Sequence, residues 1–227
     1  MSTVLATRAG CVAALVALAG CATGPAGPPL ADPLALARRA AAETGGDAPT
    51  RIRFAWRYGD RRGDVEGEGV ARFNPPDSLR LDLFTSGDVA LAVAATGERV
   101  TVLGELDDVE LPPRPLVFAM TGRFRPPVNA APAGFAAGRD SVLVYARPDG
   151  VETRFFLRAG RLQRAEERRH GRVERFVRIE WPERGAWPSS AEYRDLERPS
   201  RTVWRLSEVR APVSHHPPGI YDLPVEP

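Results

Sequence analysis

The chain has 227 residues, of which 43% are hydrophobic and 26% charged. This composition is typical of a globular protein and excludes a disordered or multispan membrane chain. All 31 basic side chains are arginine and are nearly balanced by 29 acidic ones, which leaves a formal net charge of +2. The small excess implies no polyanion partner, and glutamates interrupt the arginine-rich stretch 161–178, which leaves no basic stripe. The sequence therefore predicts no nucleic-acid partner.

The first twenty residues have the features of an export signal. Arg8 supplies a positive charge, and residues 10–19 form an uncharged apolar run that is too short to span a bilayer as a stable helix. The run is followed by Gly20 and Cys21. This ending resembles the bacterial lipoprotein signal, and the resemblance implies cleavage before Cys21 and lipidation of that residue.

The segment after the cysteine is rich in alanine, glycine and proline, a composition that favours a mobile spacer. We therefore predict three regions: a lipoprotein signal peptide at 1–20, a flexible tether at 21–31 and a folded domain at 32–227. Ala22 stands where the best-known sorting systems place the aspartate that retains lipoproteins at the inner membrane. By that resemblance, we expect a lipid-anchored protein at the outer membrane, facing the periplasm.

The folded domain begins with a predicted helix and continues as strands. Asp32 is a good N-cap, Pro33 suits the first helical position, and Gly45 and Gly46 end the helical pattern. From residue 51 the apolar residues recur every second position, as half-buried strands require. Short turns separate these strands, so neighbouring strands are expected to be antiparallel. The eleven predicted strands are 51–58, 65–73, 79–84, 89–95, 99–103, 141–146, 151–158, 162–169, 172–181, 191–196 and 202–209.

One segment interrupts the strands. Prolines at 112, 113 and 115 lead into the apolar run 116–120, which predicts a short helix entered through prolines. Residues 126–138 are rich in proline, alanine and glycine, and we predict a loop there. Together they form an excursion long enough to cover one face of a curved sheet.

These elements resemble the lipoprotein carriers LolA and LolB and their lipoprotein relatives. The resemblance rests on the N-terminal helix, the strand pair joined by Asn74, Pro75 and Pro76, the turn at Gly87, the proline-flanked helix near Phe118, and the late strands that follow Trp187. It implies a mainly β fold, an unclosed antiparallel half-barrel of about eleven strands with an N-terminal helix and a short lid helix. It also implies that the protein binds acyl lipid or lipoprotein cargo.

The candidate cavity lies on the concave face of this half-barrel. A sheet of eleven strands encloses more space than its own side chains fill unless a lid or a ligand occupies it. The candidate lining residues are Trp56, Leu81, Leu83, Val93, Phe118, Met120, Phe155 and Leu157. The alternative is that they form an ordinary core under the helices. By resemblance to the anchored carrier, Phe84 is the candidate for membrane contact.

No enzyme signature was found, and the sequence predicts no catalytic residue, cofactor or metal. Gly67 and Gly69 begin like a dinucleotide loop, but Arg72 occupies the third glycine position, which favours a strand irregularity. His215 and His216 precede two prolines and indicate an exposed loop. We expect a monomeric lipoprotein that binds lipid or lipoprotein acyl chains. The alternative is a non-catalytic scaffold lipoprotein of a cell-envelope assembly.

The sequence also predicts the register of one hairpin. A two-residue turn at His170 and Gly171 would place Glu167 opposite Glu174 and Glu166 opposite Arg175. In that register, Arg175→Ala is expected to change stability only slightly.

Overall fold

The structure is a computed structural model, and it describes residues 27–45, 48–86, 88–97, 99–104, 111–127, 130–212 and 214–223. The predicted signal peptide, Cys21, most of the predicted tether and the Gly87 turn lie outside these residues. The boundaries proposed for the signal peptide, tether and domain therefore stay predictions.

Helix α1 spans Pro33–Gly45. Its start is as predicted, because the Asp32 Oδ1 accepts a hydrogen bond of 2.8 Å from the backbone N–H of Ala35 and so caps the first turn. Ala37 and Ala40 are buried against the sheet, whereas Arg38 and Arg39 on the opposite side are exposed. The helix therefore lies on the sheet through small side chains.

Twelve strands of the described chain form one antiparallel sheet. Their bounds are β1 Thr50–Gly59, β2 Asp64–Asn74, β3 Ser78–Thr85, β4 Asp88–Thr96, β5 Arg99–Leu103, β6 Ala133–Ala137, β7 Asp140–Ala146, β8 Val151–Arg158, β9 Arg161–Arg169, β10 Arg172–Glu180, β11 Ser190–Asp195 and β12 Ser200–Arg210. The strand order is β5-β4-β3-β2-β1-β12-β11-β10-β9-β8-β7-β6. Two meanders thus join where β1 pairs with β12, and the end strands β5 and β6 are not paired with each other. This confirms the mainly β, unclosed half-barrel.

The predicted loop at 126–138 is wrong in part, because it contains β6, which pairs with β7. Its Ala-Gly-Phe-Ala-Ala sequence has little of the alternation that marks a half-buried strand, so periodicity does not indicate this strand. The outer edge of β6 is itself covered by the chain that precedes α1. Pro29 forms a bridge with Phe135, and the N–H of Leu30 donates to the Gly134 carbonyl at 3.0 Å.

The second helix, α2, spans Arg114–Met120 and confirms the short helix entered through prolines. Five consecutive residues, 116–120, are buried in it. The helix lies over the inner, concave face of the sheet and contacts β9, β10 and β11. It therefore covers the half-barrel as the predicted lid helix should.

The predicted hairpin register is correct only next to its turn. Arg172 pairs with Arg169 and Val173 with Arg168, but a bulge at Glu174 then shifts β10 by one residue. Arg175 consequently lies opposite Glu167, and Glu166 lies opposite Phe176. The predicted pairs Glu167 with Glu174 and Glu166 with Arg175 are wrong. The bulge separates two like charges and places an arginine beside a buried carboxylate.

After β12 the chain crosses the outer face of the sheet and forms a short 3₁₀ helix at Pro218–Tyr221. The His216 backbone N–H donates to Asn74 Oδ1 at 2.9 Å, and Arg80 donates to the Ile220 carbonyl. Leu223 packs on Ala92 and Ala94, which covers the outer face of β4.

Candidate functional site

The concave face of the sheet carries the predicted lining residues. Those on the strands are Trp56, Leu81, Leu83, Val93, Phe155 and Leu157, and those on α2 are Phe118 and Met120. All eight are at most 4% exposed and belong to one continuous hydrophobic core. In the described conformation the two helices therefore fill the concave face with their own side chains.

The seat of α2 is built largely from aromatic contacts. Phe118 is 1% exposed, and its ring lies 5.7 Å from the ring of Phe73 at the end of β2. Arg114, in the first turn of α2, also lies over the Phe118 ring, at 5.2 Å from its centre. The N-cap residue Pro113 makes no side-chain capping bond. Packing therefore holds this short helix in place more than its own end contacts do.

A cavity of about 380 Å³ lies where the ends of the two helices meet the sheet. The last turn of α1, the turn that follows α2 at Gly122, and the indoles of Trp181 and Trp187 line it. Trp181 is fixed in place because its Nε1 donates to the Leu162 carbonyl at 2.8 Å. The volume falls in the range of small-molecule sites, roughly 300 to 1,000 Å³. We call this cavity the mouth.

A buried arginine lies beside the mouth. Arg123 is 2% exposed, donates to the Thr50 hydroxyl at 2.7 Å and lies over the rings of Phe73 at 4.3 Å and Trp187 at 5.5 Å. Burial, together with the positive charge of Arg125, lowers the pKa of Arg123 to about 10. The guanidinium therefore links α2 to the start of β1 and to the mouth.

The inner face is charged where β9, β10 and β11 lie side by side. Arg175 donates to Asp195 Oδ2 at 2.9 Å and lies 3.5 Å from Glu167 Oε2. Both carboxylate side chains are at most 5% exposed. Burial raises the pKa of Glu167 and outweighs the attraction of Arg175. Burial also opposes ionisation of Asp195, but bonds from the Arg198 N–H and from Arg175 outweigh it, so its pKa is lowered.

Further polar atoms on the inner face are buried without a hydrogen-bond partner among the described residues. Two of them are Thr153 Oγ1, opposite Glu167, and Trp204 Nε1, opposite Trp56. Buried polar atoms are nearly always satisfied in folded proteins. These two are therefore available to a ligand oxygen or to water.

Phe84 lies on the opposite, outer face of the sheet. It is half-buried at the end of β3, pairs with Glu68 and lines an outer groove of about 650 Å³ with Val70 and Ser207. This groove continues past Ala55 into a second one of about 720 Å³, lined mostly by charged side chains. The structure thus separates Phe84 from the other candidates, which lie on the inner face or on α2.

The remaining sequence motifs are structural. Gly67 and Gly69 lie inside β2, where a Cβ would overlap the Phe84 carbonyl or the Phe54 ring, so close packing explains the two glycines. His215 is exposed as expected, but His216 is half-buried with its Nε2 3.3 Å from the Thr50 carbonyl. Within the described ranges, no group of three or more candidate ligands could hold a metal ion.

Sequence reasoning identified the lid but missed the mouth. The sequence pattern places Trp181 and Trp187 only at the ends of strands, and it assigns no role to Arg123. A tryptophan near a strand end gives no sign of its facing partner, and that partner depends on how α2 crosses the sheet. The available signal is Arg123 itself, a charged residue three positions after the buried run of α2.

Comparison with solved structures gives three informative matches. A LolA superfamily protein from Nitrosomonas europaea matches with a TM-score of 0.58 and 15% identity, over 83% of this chain and 96% of that one. A DUF1329 family protein from Desulfovibrio piger matches with a TM-score of 0.60 and 12% identity, over 86% of this chain and 98% of that one. A domain from Vibrio parahaemolyticus described as an outer membrane lipoprotein-sorting protein domain matches with a TM-score of 0.54 and 10% identity, over 82% of this chain and 94% of that one. Neither a family model nor a curated protein matches the sequence.

The chain therefore has a LolA-like fold, as its sequence pattern indicates. At sequence identities of 10–15%, these matches support an inference about the fold and none about the function. In the described part of the chain, no helix is both long enough and apolar enough to cross a membrane.

Proposed function

We propose that this protein binds the acyl chains of lipids or lipoproteins between the concave sheet face and its two helices, while Cys21 anchors it to the outer membrane. The observation that carries the proposal is the inner face itself. Outside the charged cluster of Glu167, Arg175 and Asp195 it is a continuous apolar surface that α2 covers, in a half-barrel whose described end strands β5 and β6 are not paired with each other. An acyl chain needs only apolar walls, so this surface suits it chemically.

In this proposal the described conformation is the closed one. The side chains of α2 occupy the place that an acyl chain takes, so binding requires α2 to move away from β9, β10 and β11. In this proposal the hinge of that movement is Gly122, which lines the mouth and whose positive φ of 76° suits glycine. Thr153 Oγ1 and Trp204 Nε1 would then donate to ester or headgroup oxygens.

A binding role fits the ionisable groups of the inner face better than a catalytic one does. Glu167 and Asp195 are both engaged by Arg175, and Asp195 also accepts bonds from two backbone N–H groups. A general base needs a carboxylate that can take up a proton from substrate. Here Arg175 pairs with both carboxylates, and these ion pairs link β9, β10 and β11.

The second candidate function is a scaffold lipoprotein that has the fold without the cargo. The burial of all eight lining residues in one core favours it. In a filled interior, a ligand must displace closely packed side chains, and this costs free energy. The two candidates differ in whether α2 opens.

Two measurements separate them. The full chain, purified in mild detergent, is extracted with organic solvent and the extract is analysed by mass spectrometry for noncovalently bound acyl lipid. Titration with a fluorescent fatty acid then compares Trp187→Ala at the mouth with Phe84→Ala on the outer face. The proposal expects a bound lipid, saturable uptake and a several-fold weaker Kd for Trp187→Ala only. An extract free of lipid together with no saturable uptake supports the scaffold.

A further inference from the structure

The last part of the predicted tether is fixed to the sheet. The backbone N–H of Ala136 donates to the Pro28 carbonyl at 2.9 Å, and that of Leu30 donates to the Gly134 carbonyl at 3.0 Å. At Gly27 a Cβ would overlap the Ala136 carbonyl, so only glycine permits the approach. Residues 27–30 therefore act as a short additional edge strand on β6, and we call them the docking segment.

Docking limits how far the sheet can lie from Cys21. Only five residues, 22–26, stand between Cys21 and Gly27, and six Cα–Cα steps reach about 20 Å when fully extended. A compact domain of about 200 residues has a radius of gyration of about 16 Å and hence a diameter of about 40 Å. A chain anchored through Cys21 consequently holds the β6 edge near the bilayer and cannot turn its far side towards it.

The surface next to the docking segment is the outer face of α1. Leu34 is 47% exposed there, and Arg38 and Arg39 lie one turn further on with their side chains exposed. Asp32 caps the helix at its start, and Glu43 lies at its other end beside Gly160, so the two arginines form the centre of the face. An exposed leucine followed by arginines is suited to the headgroup layer of an anionic bilayer.

We propose that the docking segment fixes the orientation of the anchored domain, so that the exposed face of α1 rests on the membrane that holds Cys21. This inference rests on the lipid anchor of the proposed function. It gives that function a geometry, because the mouth is lined by the last turn of α1 and therefore lies next to the bilayer from which an acyl chain comes. Phe84, on the outer face, points away from that bilayer.

Site-specific fluorescence tests the orientation. After cleavage the chain has no cysteine except Cys21, whose sulfur is blocked by lipid, so one new cysteine can be labelled selectively. Ala42→Cys places a probe on the exposed face of α1, and Ser207→Cys places the matched control in the groove beside Phe84. The lipidated full chain is reconstituted into vesicles with phosphatidylglycerol and nitroxide-labelled lipid. We expect quenching at position 42 to exceed that at position 207 at least threefold.

A second variant tests the cause. Gly27→Val should release the docking segment and bring the two quenching values within a factor of about 1.5 of each other, while the melting temperature stays close to that of the parent. Equal quenching in the parent, or stronger quenching at position 207, overturns the orientation and leaves acyl binding standing. A mass spectrum without acyl chains on Cys21 overturns both the anchor and the orientation, whatever the uptake titration shows.

Discussion

Arg175 is the residue whose role changes most between sequence and structure. Without the bulge at Glu174, it would lie opposite Glu166, which the structure places beside Phe176 and pairs with Arg164 and Arg168 of its own strand. With the bulge it lies between Glu167 and Asp195, two buried carboxylates. A single arginine therefore balances two charges on the inner face.

Replacing Arg175 with methionine should destabilise the protein strongly at pH 7. Removing one partner of a buried ion pair costs about 3–5 kcal/mol because the other charge stays buried. Arg175 is itself 20% exposed, so we expect about 3 kcal/mol, measured by urea unfolding. The exposed Arg178→Met, on the opposite face of the same strand, is the control and should change the free energy of unfolding by less than about 0.5 kcal/mol.

The loss should depend on pH with a definite sign. In the parent protein, the lowered pKa of Asp195 stabilises the fold above the unfolded pKa of about 3.9, and this contribution is lost as pH falls. In Arg175→Met both carboxylates lack their partner, so their folded pKa values rise and the fold is penalised only while they are ionised. The difference between variant and parent should therefore shrink from pH 7 to pH 4. A difference that stays constant over this range would contradict the assignment.

At the scale of elements, the strands were predictable because their periodicity is strong. Eleven of the twelve strands and both helices have clear signals, such as the alternation in β1 and the Asp32 cap of α1. Strand β6 has none, since its alanines and glycine suit any environment and its pairing comes from β7 and the docking segment. The local sequence does not indicate the bulge in β10 either, because the bulge depends on the pairing of Arg175 with carboxylates on β9 and β11. Tertiary contacts decided both.

Helix α2 should limit access to the inner face. If Phe118 occupies the place of an acyl chain, then Phe118→Leu weakens the closed state by removing the ring contact with Phe73, and less free energy is needed to open it. We expect a several-fold tighter Kd for a fluorescent fatty acid, together with a stability loss of about 1 kcal/mol. A thermal melt and a titration on the same sample measure both.

The control for α2 is Phe135→Leu. Phe135 is also buried, but it lies under the docking segment on β6 and outside the main core, so its loss should lower stability and leave the Kd unchanged. If Phe118→Leu also lowers stability without altering the Kd, then Phe118 is an ordinary core residue and α2 does not open for ligand.

For the molecule as a whole, the sequence predicts more of the fold than of the candidate site. The inner-face residues were predictable because a half-barrel has one apolar face, and Leu81 or Phe155 could belong to no other. The mouth depends on where α2 ends relative to Trp187, which no local pattern encodes. The docking segment was predicted as mobile tether because its proline and glycine content suits a linker as well as an edge strand.

Cys21 should be the group that keeps the whole protein on the membrane. Each buried acyl methylene contributes about 0.8 kcal/mol, so two or three chains hold a protein almost permanently, whereas one exposed leucine and two arginines bind weakly and in a salt-dependent way. Replacing residues 1–20 with a signal that is cleaved independently of the cysteine, and Cys21 with alanine, should move the folded chain into the soluble fraction. The same signal exchange without Cys21→Ala tests the export route. Retention of the alanine variant on membranes after a high-salt wash would show that another surface, and not the lipid, supplies the anchor.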